Sequence, residues 1–377
     1  MLKKTLKYIA VNILVFFGIL LFLNLGVIIL YQVYQGSKLM VNSFRENIPG
    51  DKRSELPNYK DIDWAKTHFR ELHKLPLDYR SYVGWRRRSY SGETININED
   101  GTRYTPQPEQ VNDNSRLAVF LGGSTMWGSG ANDENTIPAL FSEISGGRYR
   151  TKNLGESDYR SFQSYNFLQI QVNRGMNPDI IISYEGVNER WGLINAFEVS
   201  SNSREKQINT ALESRGGDLS LMSYLFDPVI SFIMMVKEKI SRQTEQYTDI
   251  SYYDLKPERV EKTARRLLDS WLAQKALAEK ESSLFVCALQ PTAGMGNPYL
   301  EHIELDPYWI KPYHHLYPKI LQLLQTPQYR ELLPHFIDLT DVFDSDEKIY
   351  IDSFHVSPNG NKILAEKLYE QVKNKNN

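Results

Sequence analysis

Strand-like apolar runs alternate with longer amphipathic stretches over the C-terminal part of the chain. The runs have the length of buried strands and lie at 117–121, 149–153, 179–184, 284–289 and 335–339. Between two of them, Pro257–Glu281 repeats apolar residues at helical spacing along one face. Strands that alternate with helices favour a parallel sheet covered by helices on both faces. The pattern therefore predicts a three-layer α/β domain of about five strands over residues 116–377.

The connection at about 191–256 is longer than the loops usual in compact domains. It contains the apolar stretch Leu219–Val236, which is broken at Asp227-Pro228. We interpret this connection as a helical insertion that forms a lid or rim. The run Phe232–Val236 is interpreted as the buried face of a helix, with a substrate or membrane contact as the alternative.

The N-terminal segment 8–31 is the most apolar part of the chain, since Ile9–Leu30 is interrupted only by asparagines and glycines. At about 1.5 Å per residue, a helix of this length covers the hydrocarbon core of a bilayer. Lys3, Lys4 and Lys7 precede it, whereas the next cation is Lys38. The positive-inside rule then places residues 1–7 in the cytoplasm.

We therefore predict an uncleaved signal anchor at 8–31, with everything after it across the membrane. A cleaved signal peptide is the alternative, but the apolar run exceeds the usual length and no small-x-small cleavage site follows. Residues 32–115 are polar and irregular, and we interpret them as a stem and accessory region that packs against the α/β domain. Within this region, the alternation in Glu93–Asn98 predicts a hairpin strand.

The charge balance excludes a general affinity for polyanions. The chain has 44 Lys and Arg residues against 46 Asp and Glu residues. A nearly neutral protein has no overall field that attracts nucleic acid. We therefore expect no nucleic-acid partner.

Cysteine and histidine patterns argue against a disulfide, a thiol nucleophile and a metal site. The single cysteine, Cys287, lies within the apolar run Leu284–Leu289, where burial opposes thiolate formation. His302, His314 and His315 lack the spacing of known zinc motifs. We expect neither a metal nor another cofactor.

Ser124 stands directly after a strand-like run and two glycines, at the end of Leu117–Gly123. Open α/β sheets bind ligands at the carboxyl ends of their strands. Gly122 and Gly123 allow a sharp turn that exposes the Ser124 hydroxyl to a cleft. This position makes Ser124 a candidate nucleophile, and a helix cap in an ordinary turn is the alternative.

Later segments supply the groups that a serine nucleophile needs. A serine hydroxyl requires a general base within hydrogen-bond reach, and His355 is the candidate. Asp352, three residues earlier, is suited to orient that base. The backbone N–H groups of Ser124 and Gly155 and the side-chain amide of Asn188 are candidate donors to an oxyanion.

The order of these blocks resembles the SGNH hydrolases, the GDSL-like esterase superfamily, from about residue 116 to the C-terminus. The resemblance implies a flavodoxin-like α/β/α fold with Ser124 as the nucleophile and His355 as the base, paired with Asp352. It also implies an oxyanion hole formed by Ser124, Gly155 and Asn188. Each block is weak alone, but all four in order make a strong signal.

Two positions depart from that family's pattern. Gly123 stands where the family has the aspartate of Gly-Asp-Ser, and Glu189 stands where it has the aspartate of Gly-x-Asn-Asp. Neither position carries an assigned chemical role. The acidic residues near the predicted site also resemble a glycosidase pair, an interpretation of low weight; they are Glu156, Asp158, Glu185 and Glu189.

The resemblance and the predicted anchor together imply a membrane-anchored serine esterase with a periplasmic or extracellular catalytic domain. Its expected substrate is an O-acetylated, or otherwise short-chain acylated, envelope or extracellular polysaccharide. Envelope polysaccharide assembly proteins are the expected partners. The alternatives are an O-acyltransferase that uses Ser124 with a multispanning donor partner, and an inactive glycan-binding scaffold.

Overall fold

The computed structural model describes residues 3–19, 22–23, 25–26, 51–194, 199, 202, 204–205, 208–209 and 253–375. The chain divides into two compact units: one combines 1–49 with 204–249, and the other combines 50–203 with 250–377. Most of the predicted insertion at 191–256 lies outside the described residues. The architecture below is that of the second unit.

Helices and strands of this unit begin and end as follows. The strands are β1 (Leu77–Arg80), β2 (Gly84–Arg87), β3 (Tyr90–Ser91), β4 (Asn96–Ile97), β5 (Arg116–Gly122), β6 (Tyr149–Asn153), β7 (Ile180–Glu185), β8 (Leu284–Leu289) and β9 (Phe336–Asp338). The α-helices are α1 (Ala65–Leu72), α2 (Ser124–Trp127), α3 (Ile137–Ile144), α4 (Ser161–Asn173), α5 (Pro257–Lys280), α6 (Pro307–Ile310), α7 (Tyr313–Leu324) and α8 (Pro358–Lys375). Short 3₁₀ turns at Lys52–Glu55 and Val187–Leu193 also enter the site described below.

The central sheet has five strands in the order β6-β5-β7-β8-β9. All four pairings are parallel, with Phe120 opposite Asn153 on one side and Ile182 on the other. The predicted five-stranded parallel sheet is therefore confirmed. Because the strands are parallel, the loops after β5, β6, β7 and β9 all leave at the carboxyl side of the sheet.

Alternate side chains of the strands bury opposite faces of the sheet. Phe120 and Ile182 belong to a core shared with Phe141 of α3 and Leu364 of α8. On the other face, the Trp271 indole of α5 donates to Ser183 Oγ at 3.1 Å. Helices on both faces confirm the predicted three-layer architecture.

The N-terminal segment 51–115 packs on the loops that follow β5 and β6. Tyr59 Oη donates to the carbonyl of Gly130 at 2.6 Å, and Trp85 Nε1 donates to the carbonyl of Ser157 at 3.2 Å. β3 and β4 pair antiparallel, so part of the predicted hairpin strand at 93–98 is present. The segment therefore covers the edge of the sheet where the candidate residues lie.

Residues 3–19 are helical. Among the described residues, no helix combines the length and apolarity needed to cross a bilayer. Much of the segment 8–31 lies outside the described part of the chain. The signal anchor at 8–31 stays a prediction.

Arg103 is a fully buried connection between the 51–115 segment and the turn after α2. Its Nε atom donates to Asp133 at 2.9 Å, and Nη1 donates to the carbonyl of Gly128 at 2.6 Å. The guanidinium also lies 4.3 Å from the centre of the Trp127 ring. Breaking such a buried ion pair leaves an uncompensated charge, which is strongly destabilising.

We predict that Arg103→Ala lowers the free energy of unfolding by about 3–5 kcal/mol, because it leaves Asp133 without its cation. Urea denaturation of the purified protein measures this change. Arg88→Ala is the control: its ion pair with Asp78 is exposed, and we expect a loss of less than about 1 kcal/mol. Equal losses in the two variants would contradict a special role for the buried pair.

Candidate active site

Ser124 lies where β5 turns into α2. β5 ends at Gly122, and Ser124 is the first residue of α2. A Cβ atom at Gly122 would lie 2.5 Å from the carbonyl oxygen of Tyr184, so only glycine fits this turn. The turn places Ser124 at a helix N-terminus, where first-turn amides lack partners within the helix. The Ser124 N–H is therefore in a suitable position to bind an oxyanion.

Ser124, His355 and Asp352 form one chain of hydrogen bonds. The His355 Nε2 atom lies 2.8 Å from Ser124 Oγ. The Nδ1 atom of the same ring lies 2.8 Å from Asp352 Oδ2. A carboxylate only accepts hydrogen bonds, so Nδ1 carries the proton and Nε2 accepts from the Ser124 hydroxyl. The geometry is that of a nucleophile, a base and an orienting acid.

The Asp352–His355 turn is held by its own backbone. Asp352 Oδ1 accepts the backbone N–H groups of Phe354 at 3.0 Å and His355 at 2.8 Å. Burial acts to raise the pKa of Asp352, but the charges and hydrogen bonds of His355 and Arg53 outweigh it and hold that pKa well below its usual value. Asp352 is therefore ionised at any pH at which the site would work.

Arg53 is a neighbour of this site that no sequence motif identifies. Its Nη1 atom lies 3.2 Å from Asp352 Oδ2, and its Nη2 atom lies 2.7 Å from Asp51 Oδ2. His73 Nε2 contacts the same Asp51 oxygen at 2.8 Å. Arg53 and Asp352 are 299 positions apart, so no local motif links them. Only the folded chain reveals that the accessory segment reaches the Asp352–His355 pair.

Asn188 lies beside the residue that precedes the nucleophile. Its Nδ2 atom donates to the carbonyl of Tyr159 at 3.0 Å. A Cβ atom at Gly123 would lie only 2.4 Å from this Nδ2. One of the two amide protons is used by Tyr159, and the other can serve an oxyanion. The close approach means that a side chain at position 123 would disturb the Asn188 amide.

Gly155 is engaged in other interactions. Its N–H donates to Asn153 Oδ1 at 3.0 Å, and its carbonyl accepts from Arg86 at 3.1 Å. A Cβ atom at Gly155 would lie 2.8 Å from the backbone nitrogen of Trp127, so the residue packs against α2. The amide is thus used inside its own loop. The oxyanion role of Gly155 stays a prediction that these contacts do not support.

Two of the acidic residues near the site pair with arginines, and a third is fully buried. Glu156 pairs with Arg87, and the Glu189 carboxylate accepts from Arg160 at 3.0 Å and from the Ser161 N–H at 2.8 Å. Glu185 is fully buried, and burial raises its pKa well above the usual value. None of these three is a free carboxylate facing Ser124, which weakens the glycosidase interpretation. Glu189 instead fixes the Asn188 turn to the start of α4.

The described part of the chain contains no group of three or more His, Cys, Asp or Glu residues arranged to hold a metal ion. Cys287 is buried in β8, and burial raises the pKa of its thiol. A neutral buried thiol is a poor nucleophile. In the hydrogen-bonded arrangement of this site, His355 can take the Ser124 proton while Ser124 attacks a carbonyl carbon.

No family model matches the chain, and no curated protein matches its sequence. Similar solved structures include a carbohydrate acetylesterase family member from Sinorhizobium meliloti, with 10% identity, a TM-score of 0.39, and coverage of 68% of this chain and 97% of that one. An acetyl xylan esterase, AlAXEase, has 16% identity and a TM-score of 0.37, and the match covers 68% of this chain and 99% of that one. The lipase Lip_vut3 from a goat rumen metagenome has 14% identity and a TM-score of 0.36, and the match covers 68% of this chain and 97% of that one.

We predict that Gly123→Ala lowers kcat for 4-nitrophenyl acetate about 100-fold, because the new methyl group displaces the Asn188 amide from the oxyanion. The displaced amide also loses its hydrogen bond to the Tyr159 carbonyl, so the free energy of unfolding should fall by about 1–3 kcal/mol, which leaves the protein folded. Asn188→Ala should cost a similar factor of about 100 to 1000. The double variant should be no slower than Asn188→Ala alone; additive losses would show that Gly123 acts by another route.

We also predict that Arg53→Gln moves the acidic limb of the kcat/KM profile to higher pH and lowers the maximum about tenfold. Arg53 is one of the charges that hold the pKa of Asp352 low, so without it Asp352 becomes protonated at higher pH and no longer orients His355. The other titratable groups facing Arg53 and Asp352 are Asp51, His73, Tyr59 and His68, and all are retained in the variant.

The Arg53 prediction is checked by pH–rate profiles of three variants. Arg53→Lys should restore most of the profile because it keeps the charge. Arg70→Gln removes an exposed arginine of α1 and should leave the profile in place. A purely structural role for Arg53 would lower the active fraction at every pH without moving the limb, which is the result that would refute positioning.

Proposed function

We propose that the protein is a serine esterase that cleaves acyl esters through an acyl-enzyme on Ser124. The observation that carries this proposal is the contact of 2.8 Å between Ser124 Oγ and His355 Nε2, with the imidazole held on its other side by Asp352. A serine with this pair of partners has what nucleophilic catalysis requires. A scaffold that only binds glycans has no use for the arrangement.

The proposed reaction has two halves. In the first, Ser124 Oγ attacks the ester carbonyl while its proton passes to His355 Nε2, and the oxyanion accepts hydrogen bonds from the Ser124 N–H and the Asn188 amide. His355 then gives the proton to the departing alcohol, and the acyl group stays on Ser124. In the second, His355 takes a proton from water, which attacks the acyl carbon; the bond between this carbon and Ser124 Oγ then breaks, His355 returns the proton to Ser124 Oγ, and the carboxylic acid leaves.

We further propose a membrane-anchored enzyme with a periplasmic or extracellular site. Leu14 and Phe22 in the N-terminal segment are 72% and 77% exposed. Ile13 and Phe16, on other sides of the helix 3–19, are also more than a third exposed. A helix that is apolar all around suits lipid better than water. The cationic flank before residue 8 supports the orientation.

The proposed substrate is an acylated envelope or extracellular polysaccharide, with O-acetyl as the favoured ester. Support comes from Phe354, whose ring centre lies 6.4 Å from that of His355, and from Trp309, whose ring centre lies 6.2 Å from that of Phe354. Flat aromatic faces suit the apolar faces of sugar rings. An acyltransferase would use the same Ser124 intermediate, with a sugar hydroxyl in place of water and a donor supplied by a multispanning partner.

We predict that Ser124→Ala lowers the hydrolysis of 4-nitrophenyl acetate and of an acetylated polysaccharide about 1000-fold or more, because the acyl-enzyme cannot form. Release of 4-nitrophenolate and of acetate measures the two reactions. Ser91→Ala, at an exposed serine of β3, is the matched control and should keep full activity. Equal rates in the parent and Ser124→Ala would overturn the esterase proposal. A Ser124-dependent gain of acetyl on polysaccharide, without hydrolysis, would identify the transferase.

A further inference from the structure

Arg190 is a buried cation, and two of its nitrogen atoms have no hydrogen-bond acceptor among the described residues. It lies two residues after Asn188, on the 3₁₀ turn Val187–Leu193, and it is 5% exposed. Its Nε and Nη1 atoms are buried and have no hydrogen-bond partner in the described chain. Leaving donors of a charged group unsatisfied away from water is costly. A bound acceptor would remove that cost.

Aromatic rings surround the Arg190 guanidinium. Its central carbon lies 4.4 Å from the centre of the Trp191 ring, 4.6 Å from that of Trp309 and 5.2 Å from that of Phe354. Cation–π contacts stabilise the positive charge, but ring faces contain no lone-pair acceptor for the N–H groups. The Tyr313 hydroxyl also interacts with Arg190 as a neutral partner; burial raises the pKa of this hydroxyl, so Tyr313 supplies no negative charge, and Nε and Nη1 still have no acceptor among the described residues.

The other buried arginines of the described chain show what Arg190 lacks. Arg87, Arg103 and Arg160 each pair with a carboxylate. Arg86 instead donates to backbone carbonyls, including that of Gly155 at 3.1 Å. Arg190 forms no ion pair with any described carboxylate. Its surroundings thus offer a stabilised positive charge without a counter-ion.

Arg190 is also close to the candidate reacting groups. Phe354, which contacts its guanidinium, is the residue before His355, and the two rings are 6.4 Å apart. Asn188, the candidate oxyanion donor, lies on the same turn as Arg190. A single aromatic ring therefore separates the cation from the catalytic imidazole. A ligand held at Arg190 would lie beside an ester bound at Ser124.

We propose that Arg190 binds a carboxylate of the substrate, so that the preferred ester is carried by an acidic glycan. This proposal rests on the proposed esterase function, because the bound glycan is a substrate only if the site cleaves esters. A planar guanidinium matches a carboxylate in shape and charge. The aromatic rings then contact the sugar that carries this group. A neutral acylated glycan leaves the Arg190 donors unpaired and binds less tightly.

The test measures binding rather than turnover, in the full-length Ser124→Ala protein, so that no ester chemistry interferes. Isothermal titration calorimetry compares oligogalacturonate with a neutral xylo-oligosaccharide of equal length. We expect about tenfold tighter binding of oligogalacturonate, and a preference that weakens as salt concentration rises. Adding Arg190→Met should abolish the preference, whereas Arg190→Lys should retain part of it because the charge remains.

Arg148→Met is the matched control, since Arg148 is exposed and lies 5.8 Å from the Tyr149 ring at the far end of β6. It removes the same charge and should keep the preference. Equal binding of the two oligosaccharides, or a preference that persists in both Arg190 variants, would overturn the proposal. Thermal unfolding checks that each variant is folded. Binding is measured apart from catalysis. A failed esterase assay therefore does not affect the binding result, and a failed binding test does not affect the esterase result.

Discussion

Arginine–carboxylate pairs hold every loop that forms the candidate site. Asp133 lies just after α2 and binds Arg103, and Glu156 after β6 binds Arg87. Glu189, beside Asn188, binds Arg160, and Asp352 before His355 binds Arg53. Three of these pairs are buried, and losing one partner of a buried pair is costly, so each of the three fixes one arrangement of its loop. The Arg53–Asp352 pair is only partly buried. The positions of Ser124, Asn188 and His355 depend on this set of pairs.

Three of these arginines, Arg53, Arg87 and Arg103, belong to the segment 51–115. This segment contributes no strand to the parallel sheet, yet it supplies the cations for the loops that carry Ser124 and His355. The sheet brings the loops to one edge, and the accessory segment then fixes them there. The α/β domain without residues 51–115 would therefore leave Asp133, Glu156 and Asp352 without their cations.

The amino-acid sequence was informative where the interactions are local or periodic. Apolar periodicity predicted the five strands and the long helix α5, and the spacing of Asp352 and His355 predicted a pair that the structure joins within one turn. Sequence could not link Arg53 to Asp352, because the contact crosses 299 positions and involves only an ordinary arginine. For Gly155 the difficulty is different. Its position in a motif makes it a candidate oxyanion donor, but only the structure shows that its amide N–H donates to Asn153.

Asp352 contacts two cationic or proton-donating partners, His355 and Arg53. Both hold the pKa of this carboxylate below its usual value, so Asp352 stays ionised and keeps orienting the imidazole. The exposed His73 extends the same chain of contacts through Asp51 to the protein surface. The accessory segment thus acts on the proton chemistry of the site as well as on its shape.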